Sequence, residues 1–191
     1  MAWDVNLLTN PSAETQDMTG WTSNGVSTEE KTTVATSKDV YISDTHVVLA
    51  SEGVYIGIDG STGEYAFIFA SDADADMHQI IYASDLAGSP ENVQFVCRYK
   101  LKIAQNAWDN SVLGLAKLKI AYTDSTFDYF VIPLILGVKA STRYFTDFWI
   151  LVRNTCPVDT DKTIDFLEVR AVADNCENGL LIDYFELREE I

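Results

Sequence analysis

Hydrophobic and polar residues alternate with a period of two along much of the chain. In the range 95–103 the odd positions are hydrophobic, and Cys97 is one of them, so the pattern predicts a half-buried strand with this cysteine in the core. Leu115–Tyr122 repeats the alternation. Further segments have the composition of strands, namely Val47–Leu49, Val54–Ile58, Glu64–Phe69, Gln79–Tyr82, Phe127–Leu136, Phe145–Val152, Thr163–Val172 and Leu180–Leu187.

Turn-forming residues separate these segments, and the clearest clusters are Asp59–Gly63, Ala87–Pro90 and Asp174–Gly179. No window of a dozen residues has helical periodicity, apart from a short turn expected near residues 82–86. Many short strands without intervening helices indicate an all-β fold, an antiparallel β-sandwich or jelly roll. Because no linker or internal repeat interrupts the pattern, we expect residues 1–191 to form a single domain.

Composition and charge argue against several classes of function. The 191 residues include 29 acidic and 13 basic ones, for a formal net charge of −16. A surface this acidic repels nucleic-acid phosphates, so we expect no nucleic-acid binding. No apolar run reaches the roughly 18 residues of a membrane helix, and we expect no membrane insertion. The N-terminus lacks the basic and apolar regions of a secretory signal, which predicts synthesis in a host cytoplasm without export.

Three parts of the sequence fit one known pattern in the same order. They are Asn6–Glu14 followed by Gly20–Trp21, then Gln79–Ile81 leading to Val93–Lys102, and finally Thr163–Ala171 followed by Gly179–Leu187. Together they resemble the galactose-binding-like jelly rolls of carbohydrate-binding modules, including the family 4 and family 9 type. The resemblance spans nearly the whole chain and implies the fold, but it does not identify a ligand, because this fold hosts many roles.

The resemblance also implies that the first and last strands are neighbours, often beside a structural calcium ion. Glu14 and Asp183 match the acidic positions that supply its ligands, and backbone carbonyls and other carboxylates would have to complete six to eight oxygens. Tyr184 stands where the family often has a second acid. The alternative is that Glu14 caps a turn and Asp183 hydrogen-bonds a neighbouring loop.

Basic residues are concentrated in the middle of the chain. Five of the 13 fall within residues 98–119, and they are Arg98, Lys100, Lys102, Lys117 and Lys119. If their two strands lie in one sheet, alternation places all five on its outward face. Such a face would bind an anionic glycan or the acidic surface of another subunit. The alternative is an ordinary solvated face whose lysines prevent edge pairing.

Aromatic residues are candidates for sugar contacts, because sugar rings stack their C–H faces on them. Trp108 lies in a polar segment, which makes it the best candidate for a ligand or partner contact, and anchoring of its loop is the alternative. Trp21 matches a family position that packs into the sandwich, so we expect it in the core. Tyr122, Tyr129 and Tyr144 are further candidates for lining a groove, but alternation does not orient them.

Catalytic signatures are missing: the sequence has two histidines and no GxSxG, GxGxxG, HExxH or phosphate-loop motif, so we expect no enzymatic activity. Since neither an export signal nor an attached enzyme accompanies the domain, we expect a virion protein of a phage tail, baseplate or capsid decoration that binds host-surface glycan. Its partners would be glycan or other virion subunits, including copies of itself. The alternatives are a structural assembly protein without sugar binding and a stand-alone carbohydrate-binding module.

Overall fold

The computed structural model describes residues 2–30, 40–42, 47–49, 65–69, 74–101, 113–136, 150–174 and 180–191. Within them the strands are β1 (Thr22–Asn24), β2 (Val26–Glu30), β3 (Val40–Ile42), β4 (Val47–Leu49), β5 (Tyr65–Phe69), β6 (Ala75–Tyr82), β7 (Asn92–Leu101), β8 (Leu113–Tyr122), β9 (Phe127–Leu136), β10 (Ile150–Pro157), β11 (Ile164–Asp174) and β12 (Leu180–Glu189). A short 3-10 helix, Ala83–Asp85, follows β6 at the expected turn. No helix in this part of the chain is long and apolar enough to cross a membrane.

The strands form two sheets that pack as a sandwich. One has five strands in the order β1-β6-β11-β8-β9, and every pair in it is antiparallel. The other has the order β2-β5-β12-β7-β10-β3-β4, and its described pairs are antiparallel except β10 with β3. The prediction of an all-β sandwich is therefore confirmed.

Strand positions differ from the predicted ones at a few places. The strand expected at Phe145–Val152 continues to Pro157, because the polar run from Arg153 to Thr155 concealed its continuation, and its predicted part at residues 145–149 lies outside the described residues. The short strands β1, β2 and β3 were not predicted. The strand expected at Val54–Ile58 lies outside the described residues.

The core lies between the two sheets and contains the inward-facing side chains of both. Trp21 packs against Phe67, with ring centroids 5.6 Å apart, and against Phe185 at 5.2 Å. Phe95 and Phe185 stack at 6.2 Å, and Cys97 is fully buried beside them in the same cluster. Removal of this apolar area from water is the main stabilising contribution. The predictions that Trp21 and Cys97 belong to the core are confirmed.

The N-terminal segment runs beside the last strand, as the resemblance implied. The Asn6 side chain joins them: its Nδ2 donates to the Phe185 carbonyl at 3.0 Å, and its Oδ1 accepts the Leu187 N–H at 3.0 Å. The Leu7 N–H donates to the Leu187 carbonyl at 2.8 Å, and the Phe185 N–H donates to the Pro11 carbonyl at 2.9 Å. The first residues of the Asn6–Glu14 motif are therefore hydrogen-bonded to the last strand, β12.

Gln79 connects the same segment to the five-stranded sheet. Its Oε1 accepts the Thr9 N–H at 2.7 Å, and its Nε2 donates to the carbonyls of Thr9 at 3.1 Å and Gly20 at 2.8 Å. Gly20 has φ of +83°, and a Cβ there would lie 2.8 Å from the Thr9 Cβ. This position thus requires glycine for both its backbone conformation and the close approach of Thr9.

Candidate functional site

The basic residues predicted to share one face lie in different sheets. Arg98 and Lys100 belong to β7 of the seven-stranded sheet, whereas Lys117 and Lys119 belong to β8 of the five-stranded sheet. Lys102 lies outside the described residues. The prediction of a single five-residue basic face was wrong, because two strands that follow each other in sequence were assigned to one sheet.

Arg98 is buried rather than exposed. Its side chain is 1% exposed and forms an ion pair with Asp183, whose side chain is 0% exposed. The register of β12 on β7 jumps from Ile182–Tyr99 to Tyr184–Arg98, so Asp183 is the extra residue of a β-bulge. The prediction that Arg98 lies on a solvated face is therefore wrong.

The proposed calcium ligands have other contacts in this structure. Glu14 is exposed, and its Oε1 accepts the backbone N–H of Tyr65 at 3.0 Å. Arg98 already brings a positive charge to Asp183, so this carboxylate is compensated by an ion pair. Among the described residues, no group of three or more His, Cys, Asp or Glu side chains could hold a metal ion. Calcium binding by Glu14 and Asp183 stays a prediction.

The outward face of the five-stranded sheet is an exposed, chemically varied surface, which we call the open face. Strands β6, β11, β8 and β9 cross it side by side, and their registers align outward residues into rows. The rows are His78–Arg170–Lys117–Val131, Ile80–Glu168–Lys119–Tyr129 and Tyr82–Phe166–Ala121–Phe127.

Large side chains remain half-exposed on the open face. The exposed fractions are 57% for Tyr82, 52% for Phe127, 55% for Tyr129 and 47% for Val131. The Phe127 and Tyr129 rings are in contact, with centroids 4.9 Å apart. Several apolar groups of this size on one sheet face indicate a binding surface rather than scattered exposure.

Lys119 lies among these rings. Its Nζ is 5.2 Å from the centroid of Phe127 and 5.1 Å from that of Phe166, within the range of a cation–π interaction. The ammonium therefore lies next to the exposed Phe127 ring. Cation and ring together form a partly polar edge of the open face.

A shallow groove of about 190 Å³ crosses the open face. Its lining residues are Lys117, Lys119, Tyr129, Val131, Glu168 and Arg170. A second groove, of about 400 Å³, shares Lys117 and Arg170 with the first and is bordered by Asp74, Asp76 and Asp174. The two grooves thus meet at one pair of basic residues.

The charged residues of the grooves differ in how they are compensated. Arg170 forms an ion pair with Asp76, and its Nη1 lies 3.9 Å from Glu168. Lys117 has no hydrogen bond or ion pair with any residue in the described ranges. Such a surface can bind a ligand through ring stacking at one end and through charged hydrogen bonds at the other.

The aromatic residues that the sequence suggested as ligand contacts lie in different places. Tyr129 lines the groove, but Tyr122 is buried: its O–H donates to Asp128 at 2.7 Å and accepts the Asp159 N–H at 3.0 Å. Burial raises the pKa of Tyr122 to about 12. Trp108 and Tyr144 lie outside the described residues.

Sequence reasoning did not single out four residues of the open face, namely Tyr82, Phe127, Glu168 and Arg170. Alternation in β11 gave a signal for two of them, since Glu168 and Arg170 occupy the polar positions of that strand. Each was indistinguishable from an ordinary solvated side chain until the sheet order placed it beside β8.

No protein-family model matches the chain, and no curated protein matches it. Among solved structures, the enzymatically active domain of tailspike protein 4 of bacteriophage CBA120 matches with a TM-score of 0.56 and 13% identity. That match covers 96% of this chain but only 21% of the tailspike chain, so this chain spans about a fifth of that structure.

Carbohydrate-binding modules match over their whole length. The CBM22-1 xylan-binding domain of Paenibacillus barcinonensis Xyn10C has a TM-score of 0.54 and 14% identity, with coverage of 98% of this chain and 96% of that one. TmCBM61, solved in complex with β-1,4-galactotriose, has a TM-score of 0.52 and 14% identity, with coverage of 98% and 100%. A family 16 module matches with a TM-score of 0.52. At these identities the likeness shows a shared β-sandwich fold.

Proposed function

We propose that this chain is a non-catalytic glycan-binding module of a virion and that it binds glycan on the open face. The observation that carries this proposal is the half-exposed aromatic set of Tyr82, Phe127 and Tyr129 beside a groove lined by charged side chains. Exposed rings present flat apolar surfaces to the C–H faces of sugars, and charged groups beside them hydrogen-bond the hydroxyls.

The rigidity of the open face supports the same function. The rings stand on strands of a hydrogen-bonded sheet, and the Lys119 ammonium lies 5.2 Å from the centroid of Phe127. A pre-formed site loses little conformational entropy when a ligand binds. The shared fold with a xylan-binding domain and with a module solved with a galactotriose is consistent with this role.

The virion setting is supported by the likeness to a phage tailspike domain. In this setting the partners are a host-surface glycan and other virion subunits, including further copies of this chain. The protein then acts by attachment, and the chemical step on the glycan, where one occurs, belongs to another protein.

The test is a glycan array followed by titration calorimetry with the best ligand. Tyr129→Ala removes a ring from the groove, and we expect at least tenfold weaker binding, since loss of about 1.4 kcal/mol corresponds to a factor of ten. Tyr129→Phe keeps the ring and is expected to bind within a few fold of the unaltered protein. Val5→Ala, at an exposed residue of the N-terminal segment, is the control for surface truncation.

A second candidate function, virion assembly without sugar binding, is favoured by the exposure of Val131 and Ile80, which add aliphatic area to the open face. An array without any bound glycan, together with multimers in light scattering that Val131→Asp dissociates, would support assembly and contradict glycan binding.

A further inference from the structure

We propose that the groove of the open face takes an acidic sugar and that the Lys117 ammonium binds its carboxylate. This inference rests on the proposed glycan-binding function and adds the charge class of the ligand. It starts from the local charge. The first groove is lined by three cationic side chains, Lys117, Lys119 and Arg170, and by one carboxylate, that of Glu168, although the chain as a whole is strongly acidic.

Two of these three cations are already engaged. Arg170 forms its ion pair with Asp76, and Lys119 lies against the faces of Phe127 and Phe166. Lys117 is different, because it is half-buried and has no hydrogen bond or ion pair within the described part of the chain. A solvent-accessible ammonium without a protein partner is available to form a charge-assisted hydrogen bond with a bound anion.

A second cation lies next to Lys117. Lys117 lies directly opposite Arg170 in the β8–β11 register, and like charges in directly opposite positions of a sheet destabilise it. The Arg170 Nε is also buried, and it has no hydrogen-bond partner among the described residues. Because Arg170 already pairs with Asp76, a carboxylate bound in the groove would have Lys117 as its main partner and Arg170 as a second donor.

The aromatic part of the groove places the sugar ring next to that carboxylate. Val131 is the other cross-strand neighbour of Lys117, and Tyr129 lies two residues before Val131 on the same face of β9. Diagonal neighbours of this kind have Cα atoms about 7–8 Å apart, the scale of one sugar ring. A uronate stacked on Tyr129 can therefore direct its carboxylate toward Lys117.

The experiment measures binding of the full chain to polygalacturonate and to alginate, each compared with the same polymer after chemical reduction of its carboxyl groups. We expect the reduced polymers to bind at least tenfold more weakly than the parent polymers. Lys117→Met, which keeps the length of the side chain, is expected to lose a similar factor with the parent polymers. Lys162→Met is the matched control: it removes one charge as well, but Lys162 is ion-paired with Asp159 and lies in another groove.

The outcomes separate the two proposals. Equal binding of parent and reduced polymers overturns the acidic-sugar inference, and if Tyr129→Ala still abolishes that binding, the glycan-binding function stands. Equal losses in Lys117→Met and Lys162→Met also overturn the inference, because the attraction is then a property of overall charge. Absence of binding to these polymers and to every neutral glycan of an array overturns both proposals.

Discussion

The outward faces of the two sheets have similar residue types and opposite surroundings. On the open face, Lys117, Tyr129 and Arg170 have access to solvent. On the outward face of the seven-stranded sheet, the residues Arg98, Tyr184 and Glu186 are buried. A basic residue, a tyrosine and a neighbouring carboxylate therefore occur in both places, but only one place is accessible to a ligand.

Burial determines how the charges are compensated. On the buried face, the Tyr184 O–H donates to Glu186 at 2.9 Å, Arg188 Nε lies 3.0 Å from the other Glu186 oxygen, and Arg98 pairs with Asp183. Water cannot solvate these groups, so each needs a protein partner. On the open face water can solvate charged groups, so a residue such as Lys117 needs no protein partner and stays available to a ligand. The same residue types thus stabilise the fold on one sheet and leave binding capacity on the other.

The largest expected effect comes from breaking the buried ion pair. Arg98→Met leaves the Asp183 carboxylate buried without this cation, and we expect a loss of about 3–5 kcal/mol in the free energy of unfolding. Arg170→Met removes a partly exposed pair with Asp76, and there we expect a loss of about 1 kcal/mol or less. Urea denaturation of the two variants measures both values.

A double-variant cycle with Asp183→Asn controls this comparison. If the cost arises from an uncompensated charge, Arg98→Met combined with Asp183→Asn is more stable than Arg98→Met alone. Similar losses for Arg98→Met and Arg170→Met would contradict the distinction between the two faces.

A smaller effect on the free energy of unfolding is expected when one tyrosine hydroxyl is removed from each face. Tyr184→Phe deletes the hydrogen bond to the buried Glu186 carboxylate, and we expect a loss of about 1–2 kcal/mol, the contribution of one charged hydrogen bond, because Arg188 Nη2 still donates to the same oxygen at 3.1 Å. Tyr129→Phe, on the open face, is expected to change the free energy of unfolding by about 0.5 kcal/mol at most. If the denaturation midpoints of Tyr184→Phe and Tyr129→Phe agree within error, the stability of the buried face does not depend on the Tyr184–Glu186 hydrogen bond.

Sequence alternation predicted the sandwich because a period of two directly reports strands with one buried face. The family resemblance covered residues that prove to be structural: Asn6, Gln79 and Gly20 belong to its motifs, and they join the N-terminal segment to both sheets. The hydrogen bonds of Asn6 and Gln79 connect residues far apart in the sequence, so alternation alone could not predict them.

The site was harder to predict, since it depends on which sheet each strand joins. Alternation placed Arg98 and Lys117 on polar sides correctly, but β7 and β8 enter opposite sheets, and the outward side of β7 is buried. Tyr129 lies in a strand with apolar residues on both faces, so its direction could not be inferred. Strand order, a non-local property, therefore separated a structural cation from a candidate ligand contact.

The smallest expected effect is a loss of stability at alkaline pH that originates at two buried tyrosines of the seven-stranded sheet. Burial raises the pKa of Tyr184, helped by the negative charge of Glu186, and burial raises the pKa of Tyr99 to about 12. The neutral phenols therefore contribute stability that is fully present below the unfolded-state pKa of about 10 and is lost as the pH rises toward the folded-state pKa. By pH 11 each such tyrosine costs about 1 kcal/mol. Urea denaturation at pH 8, 10 and 11 measures how steeply the free energy of unfolding falls with pH. We expect this slope to be shallower in Tyr184→Phe and unchanged in Tyr129→Phe. An unchanged slope in Tyr184→Phe would show that this tyrosine titrates normally in the folded protein.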